Sequence, residues 1–179
     1  PDRVVAAVTF AGIAPFDAAG LDWFDGMVDT GAVRAAAEGG RDARATFEET
    51  AKFDPRSFNA ADLAALESRW ADLGADVGLA TADGPAGLGG LVDDDVAFTR
   101  PWGFEVADVR VPTLVVQGGD DRVVPAAHGD WFLRTLPRAE DWRRPRDGHI
   151  GVLDALPVAL DWLLETCPPA GSFHPRRRR

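Results

Sequence analysis

Two short stretches of this chain carry side chains able to move protons. In the first, Thr113-Leu-Val-Val-Gln117 is a β-branched, apolar run that breaks at Gly118-Gly119 and leads at once into Asp120, Asp121 and then Val-Val-Pro125. In the second, Glu140 to Arg144 reads as a short strand and turns through Pro145-Arg146-Asp147-Gly148 into His149. Short runs bounded by Gly and Pro, with no 3.6-residue period, predict strands that end in turns. Ligands of open α/β sheets bind beyond the carboxyl ends of the strands, where both turns lie. A carboxylate there can accept a bond from imidazole Nδ1–H, fix the tautomer and stabilise the imidazolium formed when Nε2 takes a proton. Asp120 and Asp121 compete for that role. Asp147 is a poorer partner, because sequence neighbours at a turn tend to point apart.

The other reactive residues have plainer settings. His128 falls in the first turns of a helix opening near Pro125, and His174 lies in the terminal segment; both read as structural or solvated. The serines are Ser57 at a helix start, Ser68 inside a helix and Ser172 in the terminal segment. None has the Gly-x-Ser-x-Gly frame of a nucleophile elbow. The single cysteine, Cys167, ends the last helix. Asp93-Asp94-Asp95 reads as a solvated helix start, and metal binding needs ligands clustered at coordination spacing, so no metal site is expected. Gly84 to Gly90 lacks the Gly-Lys-Ser/Thr ending of a phosphate loop, and Gly118-Gly119 has no third glycine in frame for a dinucleotide. No cofactor is expected.

The elements that must position the two turns follow from pattern. Pro1 to Phe10 leads directly into a strand, with a turn from Ala11 to Asp17. Ala18 to Trp102 reads as helical and loop-rich: Leu21, Phe24 and Val28 share a helical face, and Val33 to Phe53 is broken at Gly39-Gly40. Asn59 serves as an N-cap with Asp62 in an acidic first turn. Leu63, Leu66, Trp70 and Leu73 then make a stripe ending at Gly74. A loop from Gly84 to Gly90 precedes a helix over Asp93 to Trp102. Ala126 to Leu136 is a helix stopped by Pro137, with Trp131, Phe132 and Leu136 free to face the sheet. Val152 to Thr166 forms a last helix before Pro168-Pro169.

The stretch Val111-Pro-Thr-Leu-Val-Val-Gln-Gly-Gly-Asp-Asp-Arg-Val-Val-Pro125, then Pro-Arg-Asp-Gly-His149 and a terminal amphipathic helix, resembles the C-terminal part of α/β-hydrolases. The resemblance is good from Arg110 to Glu165 and looser from Asp2 to Asp108. That family has a Gly-x-x-Asp-x-x-x-Pro turn carrying the triad acid and a later Gly-His carrying the base. Matched by position, the acid is Asp121 and the base His149. The resemblance implies part of an α/β-hydrolase three-layer sandwich: core at 1–17 and 105–167, a helical lid at 18–104, and a disordered tail at 168–179. It implies hydrolysis of ester, amide or related bonds in a small-molecule or short peptide substrate. Trp23, Phe24 and Met27 are the expected pocket residues. With no elbow in the chain, the resemblance implies truncation before residue 1, with Ser, Cys or Asp open as the nucleophile. The rival expectation is an inactive, hydrolase-like binding protein.

Composition narrows the partners. At 179 residues, with 46% hydrophobic and 27% charged residues, the chain has one domain's worth of core-forming sequence. A net charge of −10 repels phosphates, so neither nucleic acid nor anionic membrane is an expected partner. Arg176 to Arg179 is the only basic cluster and reads as a solvated end. No apolar run reaches transmembrane length, no leader pattern opens the chain, and the default location is the cytoplasm. Loss of the early strands would expose a sheet edge and favour self-association.

Overall fold

The computed structural model describes residues 3–82 and 87–167. Gly84-Pro85, the 168–179 segment with Ser172 and His174, and the terminal arginines lie outside the described residues. The elements run β1 (Ala7–Phe10), α1 (Gly31–Glu48), α2 (Ala60–Leu66), α3 (Ala71–Ala80), α4 (Gly89–Phe98), β2 (Thr113–Gly118), α5 (Ala126–Thr135), β3 (Ala139–Arg144) and α6 (Leu156–Thr166).

The sheet is parallel, in the order β1-β2-β3. Ala7 stands opposite Thr113 and Phe10 opposite Val116, while Thr113 pairs with Ala139 and Gly118 with Arg144. Parallel neighbours need crossovers. One carries α1 to α4 between β1 and β2, and the other is α5, between β2 and β3.

Every residue of β2 is buried. Its alternating side chains feed two cores, as the pleat requires. Leu114 and Val116 pack with Val152, Ala155 and Ala159 beneath α6, and half-buried Trp142 and Trp162 close that cluster. Val115 packs on the opposite face with Phe132 of α5 and with Leu136 just past its end, together with Ala14, Ala18 and Val106. Each of the buried Val, Leu and Phe side chains contributes about 1.5–3 kcal/mol of transfer free energy. A sheet covered by helices on both faces is the α/β sandwich expected from the sequence.

The helical insertion differs in detail from expectation. Leu21 to Val28 forms turns rather than a helix, because Gly20 and Gly26 adopt φ of 77° and 87°. This turns Trp23 inward, where its Nε1–H donates to the Ala14 carbonyl at 2.8 Å. The predicted break near Gly39-Gly40 is a kink within α1, with Gly40 at φ 66° and ψ −151°. Beyond it, buried Arg44 donates to Asp95 of α4 at 2.5 Å and to Glu48 at 2.6 Å.

Asp95 is therefore buried against α1, not solvated, and burial pushes its carboxyl up against the opposing pull of Arg44. The α2 helix ends at Leu66, so Ser68 lies in a turn rather than in a helix, and α3 runs on through Gly74. A helix-ending glycine works by entering the left-handed region, and Gly74 does not do so. The last insertion helix starts at Gly89 and ends at Phe98, earlier at both ends than its acidic run suggested.

Candidate active site

The turn after β2 is built so that Asp121 faces inward. Its Oδ1 accepts from the Val123 and Val124 amides, each at 2.9 Å, which closes the turn. Its Oδ2 lies 2.9 Å from His149 Nδ1, and the carboxylate side chain is fully buried. The geometry assigns the Nδ1–H tautomer to His149, with the ring donating to the carboxylate. Asp120 points elsewhere, to Arg122 at 3.2 Å and to Asn59 Nδ2 at 3.1 Å. Asp147 accepts from Arg144 Nε, so the carboxylate nearest in sequence is engaged away from the imidazole.

The two turns meet backbone to backbone. A Cβ on Gly118 would stand 2.5 Å from the Asp147 carbonyl oxygen, and one on Gly119 would stand 2.6 Å from that of Pro145. Both glycines are needed for close approach rather than for unusual dihedral angles. The Asp120 amide also donates to the Asp147 carbonyl at 3.0 Å.

His149 is 29% exposed and borders a cleft of about 400 Å³. Its walls are mainly apolar, Phe10, Ala11 and Ile13 from the β1 end, Met27, Val33 and Phe98 from the insertion, and Val123 and Val124 beside the acid, with Asp29 and Asp95 also on the insertion side. Ala11 holds φ 45°, strained for a residue with a Cβ. Met27, singled out by sequence, lines this cleft. Trp23 and Phe24 do not. Trp23 packs edge-on against His128, and Phe24 lies under the Arg34 guanidinium at 3.9 Å. A larger hollow of about 560 Å³ near Trp102, Phe104 and Trp131 touches neither Asp121 nor His149; the smaller cleft is the one that adjoins His149.

The remaining sequence candidates sit apart from this chemistry. His128 is fully buried, accepts from the Ala14 amide at Nδ1 and faces the Trp23 carbonyl with Nε2. Ser57 is buried in the short 3-10 turn Pro55–Ser57. Among the described residues, no hydroxyl or thiol is hydrogen-bonded to the His149 ring, and no group of three metal-ligating side chains forms. Sequence reasoning missed Ile13, Val33 and Phe98, which converge on the cleft from separate elements and share no motif. It also read Asn59 and Asp62 only as a helix cap, whereas both reach the strand-end turns.

Among solved structures, the chain is similar to BpoC from Mycobacterium tuberculosis H37Rv, assigned as a non-heme bromoperoxidase. The identity is 21% and the TM-score 0.48, over 93% of this chain and 58% of the other. It is also similar to Est816, an N-acyl homoserine lactone degrading enzyme, at 20% identity and TM-score 0.47, over 92% of this chain and 58% of the other. Both are α/β-hydrolase-fold enzymes. This chain thus spans well under two thirds of each. No protein-family model matches the chain, and no curated protein does. Among the described residues, no helix is long and apolar enough to cross a membrane.

Proposed function

We propose that this chain carries the acid and base of an α/β-fold hydrolase acting on an ester, amide or related bond of a small, largely apolar substrate. The observation that carries the reading is the buried Asp121 carboxylate 2.9 Å from His149 Nδ1, with the same imidazole on the wall of an apolar cleft. Asp121 fixes the ring so that Nε2 takes the proton of a nucleophile as it attacks the scissile carbonyl, and then delivers that proton to the leaving group. Water repeats the cycle to release the acyl group. The nucleophile and its oxyanion donors are, in this proposal, supplied from outside these 179 residues, since no Gly-x-Ser-x-Gly turn occurs in them. The insertion acts as the lid, through Met27, Val33 and Phe98. Val158, Leu160 and Leu164 stand exposed along α6, which supports self-association as a companion proposal.

The test is hydrolysis of short-chain p-nitrophenyl esters by the 179-residue chain, alone and combined with a strand-turn-helix segment bearing the elbow. The chain alone should match its His149→Ala variant. The combined protein should hydrolyse the ester and lose roughly a thousandfold or more with His149→Ala. A combined protein whose activity ignores His149 would refute the assignment, and ester hydrolysis by the chain alone would refute the external nucleophile and favour one within it.

A further inference from the structure

Asp62 sits on α2 of the insertion, far from His149 in sequence, and is fully buried. A carboxylate at that depth must have its lone pairs filled. All its partners here are main-chain amides. Oδ2 accepts from Asn59 at 3.2 Å and from His149 at 3.1 Å, while Oδ1 accepts from Ile150 at 3.0 Å and Gly151 at 2.8 Å. The bond to Asn59 completes the capping box of α2. The other three do nothing for the helix. They grip three consecutive residues beginning with His149.

Two further contacts join the same helix turn to the site. Asn59 Nδ2 donates to Asp120 at 3.1 Å, so the first turn of α2 holds the turn after β2 as well as the segment carrying His149. Gly148 leaves the space that the carboxylate occupies: a Cβ there would stand 2.0 Å from Asp62 Oδ2. The His149 backbone is thus pinned from the insertion side, while its ring is pinned by Asp121 from the sheet side.

We infer that Asp62 is a positioning residue for His149: its carboxylate fixes the backbone of residues 149–151, so that the imidazole meets Asp121 only when the insertion is docked. The inference rests on the acid–base reading of Asp121 and His149. It makes the insertion part of the base's support as well as a cover for the cleft. Asn at position 62 would keep one acceptor oxygen and turn an NH2 group towards amides that are themselves donors.

The experiment uses the full chain, isotopically labelled, with its Asp62→Asn variant. Long-range nitrogen–proton spectra read the His149 tautomer, and amide exchange reads residues 149–151. In the wild type, the ring should be predominantly Nδ1–H, and the three amides should open together with those of α2. In Asp62→Asn, each amide should lose about tenfold or more of its protection, as expected for hydrogen bonds to a charged group, and the Nδ1–H preference should fall. A variant that keeps both wild-type signatures overturns the inference. Should the variant not fold, wild-type exchange decides: protection of 149–151 that persists while α2 exchanges also overturns it. A wild-type ring with no Nδ1–H preference overturns the acid–base pair itself, and the inference with it, an outcome distinct from the other two.

Discussion

His128 offers a test in which burial outweighs a hydrogen bond and a nearby charge that pull the other way. Its ring is fully buried, with Nδ1 accepting from the Ala14 amide at 3.1 Å and Nε2–H donating to the Trp23 carbonyl at 3.0 Å. The neutral ring satisfies both partners. Burial pushes its pKa below the ordinary imidazole value, against the opposing pull of the Trp23 carbonyl and the Asp121 charge. The unfolded chain takes a proton near about pH 6.5, so it binds protons where the folded chain does not. Stability from this group is therefore full above that pH and lost as pH falls through and below it, by up to about 1.4 kcal/mol per pH unit.

His128→Leu removes the titration but strands an N–H and a carbonyl, at about 1–3 kcal/mol each. Urea unfolding followed by tryptophan fluorescence, from pH 8 to pH 5.5, should show the variant less stable by about 2–6 kcal/mol at pH 8. The gap should narrow towards pH 5.5, since only the wild type bears the protonation penalty. A gap that stays constant or widens on acidification would refute the reasoning.

Three further outcomes follow from packing and charge. Gly148→Ala drives a methyl into Asp62 Oδ2 and should lower stability by about 1–3 kcal/mol, whereas Gly74→Ala, with nothing within 4 Å of its Cβ, should raise it by about 0.5–1 kcal/mol; thermal unfolding compares the pair. Asp95→Ala leaves buried Arg44 with Glu48 alone and should cost up to about 3 kcal/mol, read from urea midpoints at neutral pH. Asp154 accepts from Arg69 and Trp70, and the Arg69 hydrogen bond holds its carboxyl below the usual range despite its partial burial. The stability it contributes is present above about pH 4 and lost as pH falls through its lowered value, so exchange of the Trp70 indole proton should quicken there, and Arg69→Gln should move that transition to higher pH.

The sheet was legible because its strands are short runs closed by Gly and Pro, and because β2 is buried on both faces and apolar from Leu114 to Val116. The acid turn was legible because Asp121 is held by the nearby Val123 and Val124 amides; the histidine turn shows its Gly and Pro locally, but not the Asp62 carboxylate that holds its backbone. The insertion was less so. Leu21, Phe24 and Val28 fit a helical stripe, but two glycines with positive φ override that period, and no spacing rule reports φ. Asp95 looked solvated because its neighbours are acidic; its partner Arg44 lies 51 residues away. Asp62 was visible as a cap, yet three of its four bonds reach across the fold, where a local pattern cannot extend.

Gly118 and Gly119 also bear on how this site could change over time. Because the acid and histidine turns touch through their main chains, the relative placement of Asp121 and His149 does not rely on the side chains that line the cleft. Ile13, Met27, Val33 and Phe98 can be exchanged for other shapes while Asp121 and His149 keep their spacing. The Asp121–His149 spacing and the shape of the cleft are thereby encoded in separable sets of positions. A library varied at those four residues should yield altered ligand selection with the His149–Asp121 contact retained.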